Sequence, residues 1–270
     1  MRNGDIEIAY WVHGDGAPLT LLMGLATTAA AWGPLPALLA GQGFKVVVIE
    51  NRDTGLSGPS TNGYTISDMA GDAQAVLDQE RIASTGVLGI SMGGFIAQEL
   101  ALTHPSRVSE LMLISSGPGL GGGVAPETEI MVELFGLTAI GDPSARLRRT
   151  IELLTGPGFA DANLGIVDAA VALGALGAGA DYEALARQWT AIAGFGSWDR
   201  LDRIGVPTLI LHGDKDPLIP LGNGQNLASR IAGSRLVVLE GAGHLLPLER
   251  PVETVNCIFD FFSVSKKGAA

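Results

Sequence analysis

"VLGISMGGF", residues 87–95, sets a serine among small residues, directly after an apolar β-branched run and directly before a helical pattern. A strand ending at Ile90 and a helix beginning at Met92 leave one residue for a sharp turn, and Gly89, Gly93 and Gly94 remove the side chains that would obstruct it. This is the G-x-S-x-G nucleophile elbow, which lifts a hydroxyl to the carboxyl edge of a sheet. The helix start adds backbone N–H groups and a positive dipole end beside that hydroxyl. A serine N-cap with glycines packed on the strand shares the same letters. What decides between the two is the remainder of the chain.

Short apolar runs alternate with helical patterns on either side of Ser91, the signature of βαβ units and a mostly parallel sheet. Strands are expected at Ile6–Val12, Leu19–Met23, Val46–Glu50, Thr85–Ile90, Leu111–Ser115, Thr208–His212 and Arg235–Leu239. The tight turn in "HGDGAP", residues 13–18, predicts an antiparallel hairpin between the first two. Helices are expected at Ala30–Ala40, Ile66–Gln79, Met92–Thr103, Leu221–Ile231 and Pro251–Phe262. From Gly117 to about Trp198 no strand pattern appears, while Glu127–Leu137, Ser144–Leu154, Asn163–Leu176 and Tyr182–Phe195 read as helices. The core pattern resumes at "RIGVPTLILHGD". We therefore expect an α/β core of residues 1–116 and 199–270, with a helical cap, 117–198, inserted between sheet strands. No solenoid-period repeat is visible. "SVSKKGAA" at the end reads as a frayed tail.

Composition narrows the function. The 270 residues suffice for one large core plus an insertion. A net charge of −11 and a pI near 4.7 argue against a nucleic-acid surface, which needs clustered Lys and Arg. The small basic clusters Arg146/Arg148/Arg149 and Lys266/Lys267 read as solvated faces or tail. Cys257, the single cysteine, sits in an apolar-periodic helix and reads as a packed thiol, and no cysteine-based metal site can form. Mean hydropathy is +0.31, yet no window offers the roughly 18 apolar residues of a membrane span. "MRNGDIEIAYW" has no basic start and no long apolar segment, so a cytoplasmic protein is expected. No H-E-x-x-H or P-loop spacing occurs, and neither metal nor cofactor is implied. "GPGLGGG", residues 117–123, matches G-x-G-x-x-G after a strand, but the next helical pattern begins too late to cradle a phosphate. It reads as a cap hinge.

A serine hydroxyl needs a base, and there are four histidines. His13 lies in a turn, His104 at a helix end and His212 at a strand end. His244, in "GAGHLLPLERP", lies on the loop between the last strand and the last helix, where it can reach the elbow. "LHGDKDPLIP" supplies Asp214 and Asp216 on the preceding loop, to fix the imidazole tautomer. The chain order Ser91, Asp, His244 is the α/β-hydrolase order.

With these motifs the chain resembles a small, single-cap α/β-hydrolase over nearly its whole length, from "HGDGAP" through "GISMGG" to "GAGHLLPLERP". The family pattern G-x-x-D-x-x-x-P aligns with Gly213, Asp216 and Pro220. It implies Asp216 as the catalytic acid and leaves Asp214 to structure the loop. The resemblance also implies a second oxyanion donor from "LLMGLATT", where Met23 replaces the family's histidine. Leu25 and Met92 are the donor candidates, through their backbone N–H groups. "NRDTGLSG" departs from the commoner Asp-x-Arg-Gly-x-Gly-x-Ser loop and resembles the aclacinomycin methylesterase branch.

The expected activity is serine-dependent hydrolysis of a small-molecule carboxylic ester. A lactonase of the enol-lactonase type and a C–C bond hydrolase share the same triad, and a small-molecule receptor could keep the fold. Of the apolar cap residues Met131, Phe135, Leu137, Phe159, Trp189 and Phe195, fewer than about half are expected to line a pocket. No feature sets the acyl group, the alcohol or the oligomeric state.

Overall fold

The computed structural model describes residues 1–174 and 182–264. Its framework is a seven-stranded sheet. A separate two-stranded ribbon, β1 (Arg2–Asn3) with β2 (Ile6–Glu7), precedes β3 (Tyr10–His13), β4 (Ala17–Leu22), helix α1 (Leu35–Gly41), β5 (Phe44–Ile49) and α2 (Ile66–Gln79). Then come β6 (Thr85–Ile90), α3 (Met92–Thr103) and β7 (Val108–Ile114). Helices α4 (Thr128–Gly136), α5 (Pro143–Leu154), α6 (Phe159–Ala162), α7 (Leu164–Ala172) and α8 (Tyr182–Ala193) follow before β8 (Thr208–Gly213). The chain ends through α9 (Gly222–Arg230), β9 (Arg235–Leu239), α10 (Leu246–Glu249) and α11 (Pro251–Val264). Strand order is β3-β5-β4-β6-β7-β8-β9, with β3 antiparallel and every other pairing parallel.

Period-two side-chain alternation explains why both faces of this sheet are covered. Val47, Ile49, Val87, Leu111, Leu113 and Ile210 pack on one face with α2, α3 and α9. Their neighbours Val46, Val48, Leu88, Met112, Leu209 and Leu211 pack on the other face with α1 and α11. A Thr65–Asp68 capping box starts α2 where the sequence pattern begins. α3 is buried all round from Met92 to Leu102, and its polar members are satisfied: Gln98 accepts from Ser197 Oγ, and Glu99 pairs with Arg200.

The expected hairpin does not form. β5 lies between β3 and β4, so the 14–16 turn carries the chain across the start of β5. Gly14 (φ +75°) and Gly16 lie so close to that backbone that a Cβ would fall 2.3 Å from Phe44 O and 2.0 Å from Gly43 O. The glycines permit a crossover, not a hairpin. The expected strand Ile6–Val12 is divided, because Ile8 N–H donates to Met1 O and leaves only 10–13 to pair with β5. Ala30–Ala40 is also divided, with a 3-10 turn at Ala29–Trp32 separated from α1 by Gly33 (φ +52°) and Pro34. The end of the Asn163–Leu176 helix, the "SVSKKGAA" tail from residue 265 and the Lys266/Lys267 pair lie outside the described residues. Among the described residues no helix is long and apolar enough to cross a membrane.

Candidate active site

The loops leaving β4, β6, β8 and β9 converge at the carboxyl edge of the sheet, where parallel α/β sheets bind ligands. Ser91 occupies the turn between β6 and α3 with φ +54° and ψ −119°, a region costly for a residue with a Cβ. Neighbouring contacts enforce it. Ser91 N–H donates to Ile114 O at 2.9 Å, while Ser91 O accepts from Gly94 N–H at 2.9 Å and from Ser116 Oγ at 3.0 Å. A Cβ on Gly89 would lie 2.2 Å from Gly93 O, and one on Gly93 would lie 2.1 Å from Leu22 O. Only backbone fits between β4, β6 and α3.

His244 Nδ1 lies 2.8 Å from Asp216 Oδ2, and His244 Nε2 lies 3.1 Å from Ser91 Oγ. A carboxylate only accepts, so Nδ1 carries the proton, and Nε2 of the neutral ring accepts from the serine hydroxyl. Asp216 and His244 are each 5% exposed. Asp216 Oδ1 is held by the N–H groups of Leu218 and Ile219, at 3.0 and 2.8 Å. Asp214 faces elsewhere: its Oδ1 accepts Gly241 N–H at 2.6 Å, and its Oδ2 pairs with Lys215. Burial raises the Asp214 pKa, but the Lys215 and Gly241 contacts outweigh it and hold the group below the usual range.

His212, fully buried, donates Nε2–H to Ile219 O at 2.7 Å, while Nδ1 has no partner among the described residues and lies against Gly224. Burial, only partly opposed by the Asp216 charge, pushes its pKa down, so the ring stays neutral and pins the loop that carries Asp216. His13 ends β3 at the sheet edge and His104 follows the far end of α3. Burial likewise pushes the half-buried Cys257 thiol up, away from thiolate reactivity.

The β4 loop lies directly on Ser91, since a Cβ on Gly24 would sit 3.3 Å from the Ser91 Cβ. Leu25 follows, and among the described residues neither its N–H nor that of Met92, the first residue of α3, donates to a protein acceptor. Met23, where the family pattern has histidine, has its carbonyl held by Asn51 Nδ2 at 2.8 Å. Sequence reasoning missed the other supports of this loop. In α8, Gln188 accepts Ala26 N–H at 2.8 Å through Oε1 and donates to Arg52 O and Thr54 Oγ1, each at 2.9 Å. Its neighbour Arg187 forms a two-point pair with Asp53 at 2.8 and 2.9 Å. Behind His244, Glu249 accepts N–H groups from Gly156, Gly243 and Leu245, joining the end of α5 to the histidine loop. The sequence of α8 around Arg187 and Gln188 gave no local signal for these contacts, because the partners are far away in sequence.

A cavity of about 430 Å³ opens on Ser91 and His244. Its wall is mostly apolar, with Trp32, Leu35, Leu218 and Val255 from the core elements and Phe135 and Trp189 from α4 and α8. Phe135, Leu137 and Trp189 line it while Met131, Phe159 and Phe195 do not, so half of the six apolar candidates contribute, slightly more than expected. Phe195 instead stacks on Phe95 with centroids 5.0 Å apart. The "GPGLGGG" segment pairs with 195–197 through Leu120 N–H to Phe195 O and Ser197 N–H to Pro118 O, and α4 begins only at Thr128. It presents no helix start to a phosphate. No cluster of metal-ligating side chains occurs among the described residues.

The family model described as the alpha/beta hydrolase fold matches residues 17–251. The chain belongs to that family. It is similar to rhodomycin D methylesterase DauP of Streptomyces sp. (strain C5), at 30% identity over 93% of this chain and 94% of that protein. It is also similar to 3-oxoadipate enol-lactonase 2 of Acinetobacter baylyi, at 29% identity over 92% of this chain and 90% of that protein. Among solved structures, Est816, described as an N-acyl homoserine lactone degrading enzyme, superposes with a TM-score of 0.81 at 29% identity, covering 96% of this chain and 98% of that one. The family is therefore a hydrolase family with ester- and lactone-cleaving members, and the methylesterase agrees with the resemblance carried by "NRDTGLSG".

Proposed function

We propose that this chain hydrolyses carboxylic esters through an acyl-enzyme. Ser91 Oγ attacks the ester carbonyl as His244 Nε2 takes its proton, while Asp216 orients the ring and stabilises the imidazolium. The carbonyl electron pair moves onto oxygen, where the N–H groups of Leu25 and Met92 stabilise it. The C–O bond to the alcohol then breaks, and the alcohol leaves with the proton from His244. Water, deprotonated by the same ring, attacks the acyl-serine and releases the acid. The observation that carries this reading is the unbroken relay of 2.8 and 3.1 Å from Asp216 through His244 to Ser91, opening on an apolar cavity. Residues 117–198 act as the cap that selects substrate. Phe135, Leu185 and Trp189 in the cavity wall support that role.

A second reading, lactone hydrolysis, is favoured by the two lactone-cleaving relatives. A lactone is an internal ester, so the steps are the same, and the alcohol stays attached to the released acid. Turnover of p-nitrophenyl butyrate by purified protein tests the shared chemistry. Ser91→Ala and His244→Ala should each lose several orders of magnitude in kcat while remaining folded, because such residues act as a unit. Undiminished turnover in either variant would overturn the reading. Chromatography of ring-opened hydroxy acids then ranks lactones against open-chain esters.

A further inference from the structure

One wall of the cavity is a face of α5. Arg146, Thr150 and Leu154 follow one another at four-residue spacing and so lie along one side of the helix. The Leu154 end is tied to the proposed base, since Leu154 O accepts His244 N–H at 2.8 Å. At a rise of about 1.5 Å per residue, the Arg146 backbone stands on the order of 12 Å farther along this wall.

Among the described residues that line the cavity, Arg146 is the sole Lys, Arg, Asp or Glu. Its Nε–H donates to Ile140 O at 3.1 Å, and among the described residues no carboxylate pairs with its guanidinium. Its neighbours on the same helix behave differently: Arg148 pairs with Asp168, and Arg149 pairs with Glu133 and Glu152. The expected solvated cluster is thus divided, two members paired at the surface and one facing the cavity. A chain with a net charge of −11 holds anions off in general. A guanidinium without a carboxylate partner among the described residues, set in the wall of a mostly apolar cavity, is a local reversal of that field and matches a carboxylate by its planar fork.

We propose that the substrate carries a carboxylate at its far end, held by Arg146, with its ester or lactone carbonyl at Ser91. An extended chain advances about 1.2 Å per bond, so the wall from Leu154 to Arg146 matches about ten bonds of extended substrate. The inference rests on Ser91 as the nucleophile and adds the class of substrate: a long apolar acyl or alkyl ester ending in an anion.

The test uses two series of p-nitrophenyl esters of matched length, neutral alkanoates and monoesters of straight-chain dicarboxylic acids. Arg146→Gln should raise KM for the eight- to ten-carbon monoesters roughly tenfold, leave kcat nearly unchanged, and leave neutral esters within about twofold. Arg146→Glu should reverse the preference toward esters ending in a trimethylammonium group, which a merely misfolded variant would not do. Added salt should weaken the wild-type preference, since the site is partly open. Equal KM for charged and neutral esters of every length in wild type, or an unchanged monoester KM in Arg146→Gln, would overturn the proposal. Loss of all ester turnover in wild type is a different result, and would remove the nucleophile reading itself.

Discussion

The Gln188 side-chain oxygen accepts the Ala26 N–H at 2.8 Å, so helix α8 holds the loop that carries Leu25. Ala26 sits at φ +52°, which a residue with a Cβ adopts only under constraint, and Gln188 is 1% exposed. The amide thereby links the proposed cap to the proposed oxyanion donor. Gln188→Leu should lower kcat by about ten- to a hundredfold with KM for a short neutral ester little changed, less than the 10²–10³ expected on removing an oxyanion donor outright. Gln188→Glu keeps an acceptor for Ala26 but sets an oxygen against Arg52 O where the amide donates, and should recover kcat only in part. An unchanged kcat in a folded Gln188→Leu variant would detach this helix from the chemistry.

Asp53 and Arg187 anchor the same helix. Burial raises the Asp53 pKa, but Arg187, the Ser60 N–H and the Tyr64 hydroxyl outweigh it and hold the carboxyl below its usual range. A carboxylate depressed in the folded state contributes stability above its unfolded pKa, about 3.9, and loses that contribution as pH falls through the folded value. The Tm difference between wild type and Asp53→Asn should be flat from about pH 5 to 7 and shrink below about pH 4. A difference that stays constant down to pH 3 would contradict this linkage.

Asp216 and Asp214 share one loop but make different contacts, the first with His244 and the second with Gly241 and Lys215. Asp216→Asn should cut kcat by about 10⁴ through loss of the correct imidazole tautomer. Asp214→Asn should cost about 0.5–3 kcal/mol in stability with little change in turnover per folded molecule. Kinetics corrected by active-site titration rank the two, and the opposite order would move the acid to Asp214.

Glycines test the packing separately from the chemistry. Gly93→Ala would press a methyl group to 2.1 Å from Leu22 O, backbone that cannot yield cheaply, and should destabilise by about 3 kcal/mol or abolish folding. Gly71, inside α2, has nothing within 4 Å of its Cβ position, and Gly71→Ala should stabilise by about 0.5–1 kcal/mol. Denaturant unfolding checks both, and equal effects would discredit the packing described around the elbow.

Much of the fold was legible because local chemistry marks it. The Thr65 capping box starts α2 and the glycine-flanked Ser91 starts α3, so both helices, Ile66–Gln79 and Met92–Thr103, fall where the sequence pattern sets them. Ser91, Asp216 and His244 each sit on a glycine-marked loop after a strand, and the structure brings the three side chains together. The 13–18 turn misled, because insertion of β5 between β3 and β4 is a long-range event that turn residues do not encode. Arg187 and Gln188 were unreadable for the same reason: Asp53, the partner of Arg187, and Ala26, Arg52 and Thr54, the partners of Gln188, lie 134 to 162 residues earlier, and a polar helix face looks alike whether it meets water or buried polar groups. Arg146 reads like Arg148 and Arg149 in sequence, and what separates it, a place in the cavity wall and no acidic partner among the described residues, is set by helix packing.

The most direct measurement is rapid-quench mass spectrometry of the protein mixed with a p-nitrophenyl ester, followed by peptide mapping. One acyl group per molecule should appear on the peptide containing Ser91 within the first turnover and decay as acid is released, and Ser91→Ala should show none. An acyl group on another residue, or full turnover by a folded Ser91→Ala variant, would contradict the account.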